Sequence, residues 1–140
     1  MTEIQLTGGK RALVVVAHPD DEVTWMGGTI LNNQTLDWTI YSLCRSSDTD
    51  REPKFQKVCK HLGAKAIISD LDDESEMEMS DCVAEAERLI TENIRDKKIE
   101  YLFTHGANGE YGHDRHKCVH RAINNLIDRK IIKPEAVFYF

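Results

Sequence analysis

Residues 11–22 read RALVVVAHPDDE, a β-branched apolar run that ends in a cluster of polar residues. Strands of parallel sheets that are covered by helices on both faces carry such near-continuous hydrophobic runs, whereas half-exposed strands alternate. The run therefore predicts a buried strand over Arg11–Ala17. A helix is expected to follow over Glu22–Asn33, where Gly27 and Gly28 would allow it to pack closely on the sheet.

Further along the chain, apolar runs alternate with segments of helical periodicity. Four more strands are predicted, over Trp38–Cys44, Ala66–Ser69, Ile99–Thr104 and Val137–Phe140. Three more helices are predicted, over Glu52–Leu62, Asp81–Asp96 and His116–Asp128. Regular alternation of strands and helices indicates a parallel sheet with helices on both faces. We therefore predict an α/β fold that is Rossmann-like and doubly wound, with a mostly parallel five-stranded sheet.

Size and composition exclude several classes of protein. The 140 residues suffice for a single domain, 1–140, and 41% hydrophobic with 30% charged residues is typical of globular proteins. The net charge of −6 disfavours nucleic-acid binding. No apolar run approaches the roughly 20 residues that cross a bilayer, and the N-terminus does not resemble a signal peptide. We therefore expect a cytoplasmic protein without membrane insertion, whose four scattered cysteines are reduced and packed.

An acidic segment, DLDDESEME over residues 70–78, follows the third predicted strand. It lacks the alternating ligand spacing and the central glycine of an EF-hand loop. We therefore expect a solvated loop here rather than a calcium site.

The fold class predicts where a ligand would bind. In an open doubly wound sheet, ligands lie beyond the carboxyl ends of the strands where the strand order reverses, which in the commonest order is between strands one and four. Strand one is followed by His18–Glu22, where a dinucleotide-binding protein would carry glycines. Three acids at this place would repel a phosphate and attract a cation, and Gly8–Lys10 precedes the strand instead of following it. A nucleotide-binding function is therefore disfavoured.

Strand four is followed by HGANGEYGHDRH, residues 105–116. His113 and His116 are three residues apart at the start of a helix, so they point to nearly the same side. With the acids after strand one, they offer ligands that suit Zn²⁺ with an open position for water, although Fe²⁺, Co²⁺ or Mn²⁺ would also fit. Each cluster has a simpler explanation, since acids favour helix N-termini and single histidines often face solvent. Those explanations do not predict that both clusters fall at the ligand-binding edge.

The two segments resemble the signature of the PIG-L/LmbE-like family of zinc-dependent N-acetylglucosaminyl deacetylases. Residues 17–22 match the A-H-P-D-D-E box of the family at every position, and residues 111–116 resemble its Tyr-Gly-His-x-x-His pattern. A weaker likeness runs over residues 51–63. The resemblance as a whole extends from about Arg11 to the C-terminus.

The resemblance implies a role for each matching residue. Three residues are implied as metal ligands: His18, Asp21 and His116. The other implied roles are general base for Asp20, substrate binding for Arg51, and stabilisation or protonation of the tetrahedral intermediate for His113 with Tyr111.

These roles imply a metal-dependent hydrolase that removes an N-acetyl group from an N-acetylglucosamine-type substrate. Bound zinc would lower the pKa of its water to about 7. Asp20 would take the proton of that water and return it to the leaving amine. The implied partner is a small-molecule amino sugar, and the sequence leaves open whether the protein forms a homo-oligomer.

Two features depart from the family pattern. Asp114-Arg115 stands where the family commonly has Pro-Asp, whose acid would orient a histidine. Because Arg115 cannot accept that hydrogen bond, either Asp114 substitutes for the acid or the tuning of His113 differs. The chain is also shorter than family members usually are, which predicts a short form of the domain. These departures leave open an alternative, a non-catalytic metal- or ligand-binding module that retains the family fold.

Overall fold

The computed structural model describes residues 5–96 and 98–140. Its strands are β1 (Arg11–Val16), β2 (Asp37–Ser42), β3 (Lys65–Ile68), β4 (Tyr101–Thr104) and β5 (Ala136–Tyr139). Its helices are α1 (Asp21–Asn32), α2 (Arg51–His61), α3 (Met79–Asn93), the single turn α4 (Gly109–Gly112) and α5 (Asp114–Asp128). Every predicted strand and helix is present, and α4 is an addition.

The strands form one sheet in the order β3-β2-β1-β4-β5, and each neighbouring pair is parallel. The predicted α/β fold is therefore confirmed, with a sheet that is entirely parallel. The strand order reverses between β1 and β4, which lie side by side with Val14 opposite Phe103. This is the place where the fold class predicts a ligand.

The alternation of side chains along β1 explains how both faces of the sheet are covered. Leu13 and Val15 belong to a hydrophobic cluster shared with α3 and α5, whereas Val14 and Val16 belong to a second cluster shared with α1 and α2. All four side chains are buried. Each such side chain contributes about 1.5–3 kcal/mol when it leaves water, which accounts for the uninterrupted apolar run at the centre of the sheet.

The helix boundaries differ from the prediction by up to three residues, and two of the larger differences have a clear cause. The predicted helix to Asp96 ends at Asn93, because Ile94 adopts an extended backbone and packs its buried side chain into the core. The predicted helix from His116 begins two residues earlier, at Asp114. The side chain of His113 causes this earlier start, since it accepts the N–H of Arg115 and thereby caps α5.

Most of the acidic segment is exposed, but the expectation of a solvated loop is wrong at Leu71 and Asp73. Leu71 is buried, and its N–H donates to the carbonyl of Leu43 at 2.8 Å. The side chain of Asp73 is only 11% exposed. Anchoring by Leu71 therefore brings an aspartate of this segment to the carboxyl edge of the sheet.

Two expectations from composition can be compared with the structure. All four cysteines are free and buried, as predicted. Among the described residues, no helix is both long enough and apolar enough to span a bilayer.

Candidate metal centre

The loops that follow β1 and β4 meet at the carboxyl edge of the sheet and form the candidate site. The first loop carries His18 and leads to Asp21, the first residue of α1. The second leads through α4 to His116 in the first turn of α5. The structure therefore brings together the three residues that the family resemblance implies as metal ligands.

Asp21 lies at the centre of this group. Its Oδ2 is 3.4 Å from Nδ1 of His18 and 3.3 Å from Nε2 of His116, and all three residues are buried. The backbone N–H of His18 donates to the same Oδ2 at 3.0 Å, which favours the charged form of this buried carboxylate. The carboxylate is thus charged at neutral pH and can bind a cation.

Glu110, which sequence reasoning missed, sets the tautomers of two buried histidines. Nε2 of His105 accepts the N–H of Ala17 at 3.0 Å, so the neutral ring carries its proton on Nδ1 and donates it to Oε1 of Glu110. Burial and the neighbouring His116 lower the pKa of His105 to about 4, which keeps this ring neutral at pH 7. Nδ1 of His116 lies 3.1 Å from the same oxygen and donates to it as well.

The remaining ring nitrogen of His116 has no donor to accept from. Nε2 is buried and finds no hydrogen-bond partner within residues 5–96 and 98–140. Because Glu110 keeps the proton of this ring on Nδ1, Nε2 has a free lone pair beside Oδ2 of Asp21. A buried imidazole lone pair, a charged carboxylate and a second imidazole form a donor set that fits Zn²⁺ or a related divalent ion.

Asp20, which directly precedes Asp21, contacts Arg51. Oδ2 of Asp20 is 3.3 Å from Nη2 of Arg51, which also donates to the carbonyl of Pro19 at 2.5 Å. Asp20 has a φ of 115°, and among the described residues its 72% exposed side chain makes no capping hydrogen bond to α1. Helix capping therefore does not explain this residue. Backbone strain of this kind clusters at functional sites.

His113 and Tyr111 lie beside the ligands on the opposite loop. The ring of His113 stacks on His116 with centroids 4.6 Å apart and lies 4.8 Å from the ring of His18. Nδ1 of His113 accepts the N–H of Arg115 at 3.1 Å, so the neutral ring carries a donor proton on Nε2. Burial lowers the pKa of His113 and favours this neutral form. The ring of Tyr111, 5.9 Å from that of His113, is largely exposed.

The family commonly carries an acid at position 115 that would orient a histidine, whereas Arg115 makes other contacts. Its buried side chain reaches the acidic segment, where Nε donates to the carbonyl of Asp72 at 2.7 Å and Nη2 donates to that of Ser75 at 3.0 Å. The carboxylate that contacts His116 is that of Glu110, not that of Asp114.

Three further residues of the site lie outside the predicted set: His105, Glu110 and Asp73. A metal-bound histidine usually donates its second ring N–H to a carboxylate. A search for such a partner within residues 105–116 could have found Glu110. Asp73, whose Oδ1 lies 2.7 Å from Nε2 of His18, gave no comparable signal because it stands in a run of similar acids.

Known proteins are similar to this chain in sequence and in fold. The model of the PIG-L family, described as GlcNAc-PI de-N-acetylase, matches residues 13–127. The N-acetylglucosaminyl-phosphatidylinositol de-N-acetylase of Bos taurus is 26% identical over 129 residues, which cover 85% of this chain and 51% of that protein. The chain spans about half the length of the curated relatives that it matches.

Two solved structures share the fold at low sequence identity. A deacetylase–teicoplanin complex from the teicoplanin biosynthesis pathway superimposes with a TM-score of 0.71 at 15% identity, covering 89% of this chain and 68% of that one. The zinc-inhibited form of teicoplanin deacetylase Orf2 gives a TM-score of 0.70 at 15% identity, covering 89% and 65%.

Proposed function

The chain belongs to the PIG-L family, and on this premise we propose that it is a metal-dependent N-deacetylase of a small N-acetylglucosamine-type substrate. One observation carries the proposal. Nε2 of His116 is buried, and its lone pair accepts no hydrogen bond from the described residues. It lies 3.3 Å from the charged carboxylate of Asp21 and close to His18. Such an arrangement is costly without a cation and favourable with one.

The metal would be held by His18, Asp21 and His116. When bound, it supplies a Lewis acid that polarises the amide carbonyl and makes water in the site more acidic. The donor set suits Zn²⁺, with Fe²⁺, Co²⁺ or Mn²⁺ as alternatives. The zinc-inhibited form of teicoplanin deacetylase Orf2 supports an interaction of this fold with zinc.

Asp20 is the proposed general base. It directly precedes the proposed ligand Asp21, and its carboxylate is open to solvent. It would take a proton from the attacking water and return that proton to the leaving amine. Contact with Arg51 holds the carboxylate in place, and the same guanidinium, half exposed, is the proposed substrate-binding group.

His113 is the proposed donor to the carbonyl oxygen as negative charge develops there. The backbone N–H of Arg115 occupies Nδ1, which leaves the Nε2 proton as the group that can serve an oxyanion. The exposed ring of Tyr111 lies beside His113, where a bound sugar would meet it.

Acetate release tests the proposal. The Zn²⁺-reconstituted protein should release acetate from at least one N-acetylglucosamine derivative among free, lipid-linked and nucleotide-linked forms. Asp20→Ala should retain the metal and lose about 10²–10⁴-fold in turnover, the usual contribution of a positioned acid or base. His116→Ala should lose both metal and turnover. Asp50→Ala removes an exposed acid that pairs with Lys54 and should change neither.

Two results would decide against this function. Full turnover of Asp20→Ala would refute the role of that residue. Tight binding of one metal ion by a protein that is inert towards every amide tested would favour the non-catalytic metal- or ligand-binding module. The use of Arg115 to hold a loop, instead of an acid that tunes a histidine, is the observation that motivates this alternative.

A further inference from the structure

We propose that Asp73 is a positioning residue for the metal ligand His18, an inference that rests on the metal centre of the proposed function. Asp73 lies in the acidic segment between β3 and α3, far in sequence from both ligand loops. Its Oδ1 is 2.7 Å from Nε2 of His18, while Nδ1 of the same ring faces Oδ2 of Asp21 at 3.4 Å. A ring that donates Nε2–H to Asp73 presents the lone pair of Nδ1 to the metal.

The carboxylate of Asp73 is held on its other side by Arg45. Nη2 of Arg45 lies 2.8 Å from Oδ2 of Asp73, so each carboxylate oxygen has its own partner. Arg45 has a φ of 81°, a left-handed conformation that few side chains other than glycine adopt readily. Arg45, in the turn after β2, thus has a strained backbone, and its guanidinium contacts the residue that orients His18.

Arg115 and Leu71 fix the backbone that carries Asp73. Leu71 anchors the segment in the core, and Arg115 donates to two carbonyls that lie on either side of Asp73 in sequence. Arg115 directly precedes His116 in α5. One helix therefore supplies a metal ligand and also holds the loop that orients the other imidazole ligand.

With Asp73 in this role, each of the two ligand histidines donates one ring N–H to a carboxylate. Glu110 accepts the proton of Nδ1 in His116, and Asp73 accepts the proton of Nε2 in His18. A different use of Asp73 also fits its position, since its carboxylate, His18 and His113 have ligand atoms within 4.8 Å of one another and could hold a second cation. The hydrogen bond to His18 favours the positioning role, and the experiment separates the two.

Zinc affinity of Asp73→Asn is the direct test. Competition with a chromophoric chelator should show that Asp73→Asn binds Zn²⁺ 10–100-fold more weakly than the unchanged protein, the usual loss when a carboxylate partner of a ligand histidine is removed. The matched control is Glu74→Gln, which removes a neighbouring charge that contacts the same Arg45 but is 81% exposed. It should bind Zn²⁺ with unchanged affinity. Urea unfolding of the metal-free variants verifies that each is folded.

A second variant tests whether the contact between Arg115 and the acidic segment affects Zn²⁺ binding. Arg115→Met should also weaken Zn²⁺ binding, and the double variant with Asp73→Asn should be no weaker than Asp73→Asn alone, because both changes act through one contact to His18. Additive losses would overturn this part of the proposal.

Nitrogen chemical shifts of the His18 ring give a readout that a merely structural role would not change. In the Zn²⁺-loaded protein labelled with ¹⁵N, His18 should coordinate through Nδ1 and carry a proton on Nε2. Coordination through Nε2 would overturn the proposal even if Asp73→Asn did not fold.

Three outcomes of the affinity measurement would also contradict it. Equal Zn²⁺ affinity of Asp73→Asn and the unchanged protein overturns the positioning role but leaves the proposed function standing. Loss of a second zinc equivalent with the first unaffected would assign Asp73 to a second cation site instead. Failure of the unchanged protein to bind Zn²⁺ at all would overturn both this inference and the metal-dependent function.

Discussion

Replacing Glu110 with glutamine tests whether this carboxylate prepares His116 for a metal. The Glu110 side chain is 4% exposed and accepts three hydrogen bonds, from Nδ1 of His105, Nδ1 of His116 and the N–H of Gly106. Glutamine has nearly the same shape but only one acceptor oxygen, so it cannot serve all three donors. Its NH₂ group must face either the two imidazoles or the N–H of Gly106.

Each orientation has a cost that follows from these contacts. If NH₂ faces the imidazoles, His116 must move its proton to Nε2, the nitrogen that the metal needs. Loss of such a carboxylate partner weakens metal binding 10–100-fold, or about 1.4–2.8 kcal/mol. If NH₂ faces the N–H of Gly106, a hydrogen bond to a charged group is lost, which lowers the free energy of unfolding by about 1.5–3 kcal/mol.

Two measurements on Glu110→Gln separate these costs. Chelator competition reports Zn²⁺ affinity, and urea unfolding of the metal-free protein reports stability. Glu87→Gln is the matched control, because its carboxylate contacts Asn125 and Arg129 near the far end of α5. It should leave Zn²⁺ affinity unchanged. A Glu110→Gln variant that loses neither Zn²⁺ affinity nor stability would refute the argument that Glu110 orients His116, whereas a loss of stability alone would show that NH₂ faces the N–H of Gly106.

The remaining predictions concern the scaffold. Leu102→Ala in β4 empties a fully buried position and should lower the free energy of unfolding by about 2–5 kcal/mol in a urea titration. Gly63→Ala places a side chain at a φ of 71°, just after α2, and should cost about 1–2 kcal/mol by the same measurement without changing Zn²⁺ affinity. None of the four buried thiols should react with an aromatic disulfide reagent in the native protein. Burial raises the pKa of Cys59 to about 12. Rapid reaction of any thiol before unfolding would contradict the burial of the four cysteines.

The fold could be predicted from the sequence because its signals are local and redundant. Every residue of 12–17 is apolar, and in the structure alternate members of this run pack on opposite faces of the sheet. The prediction failed where a tertiary contact overrides the helical pattern. Ile94 leaves the helical conformation and still fills the core, and the imidazole of His113 starts α5 earlier than the apolar pattern indicates.

The candidate site was predicted only in part, for a reason that lies in the loops. The fold rule and the two motifs place His18, Asp21 and His116 at one edge, and the structure agrees. Glu110 reaches its two histidines from a backbone with φ 62° and ψ −63°, a conformation that no simple pattern of residue types predicts. Asp73 reaches His18 because Leu71 and Arg115 hold the acidic segment on the protein, and sequence alone does not distinguish that carboxylate from its neighbours.

The departure at Arg115 therefore bears on His113 rather than on the proposed metal ligands. Glu110 and Asp73 already contact ring nitrogens of His116 and His18. The backbone N–H of Arg115 donates to Nδ1 of His113, a contact that a doubly protonated ring could not accept, and burial also favours the neutral ring. A neutral His113 can stabilise an oxyanion through Nε2–H but is a poor source of a full proton. In the proposed reaction, delivery of the proton to the leaving amine therefore falls to Asp20.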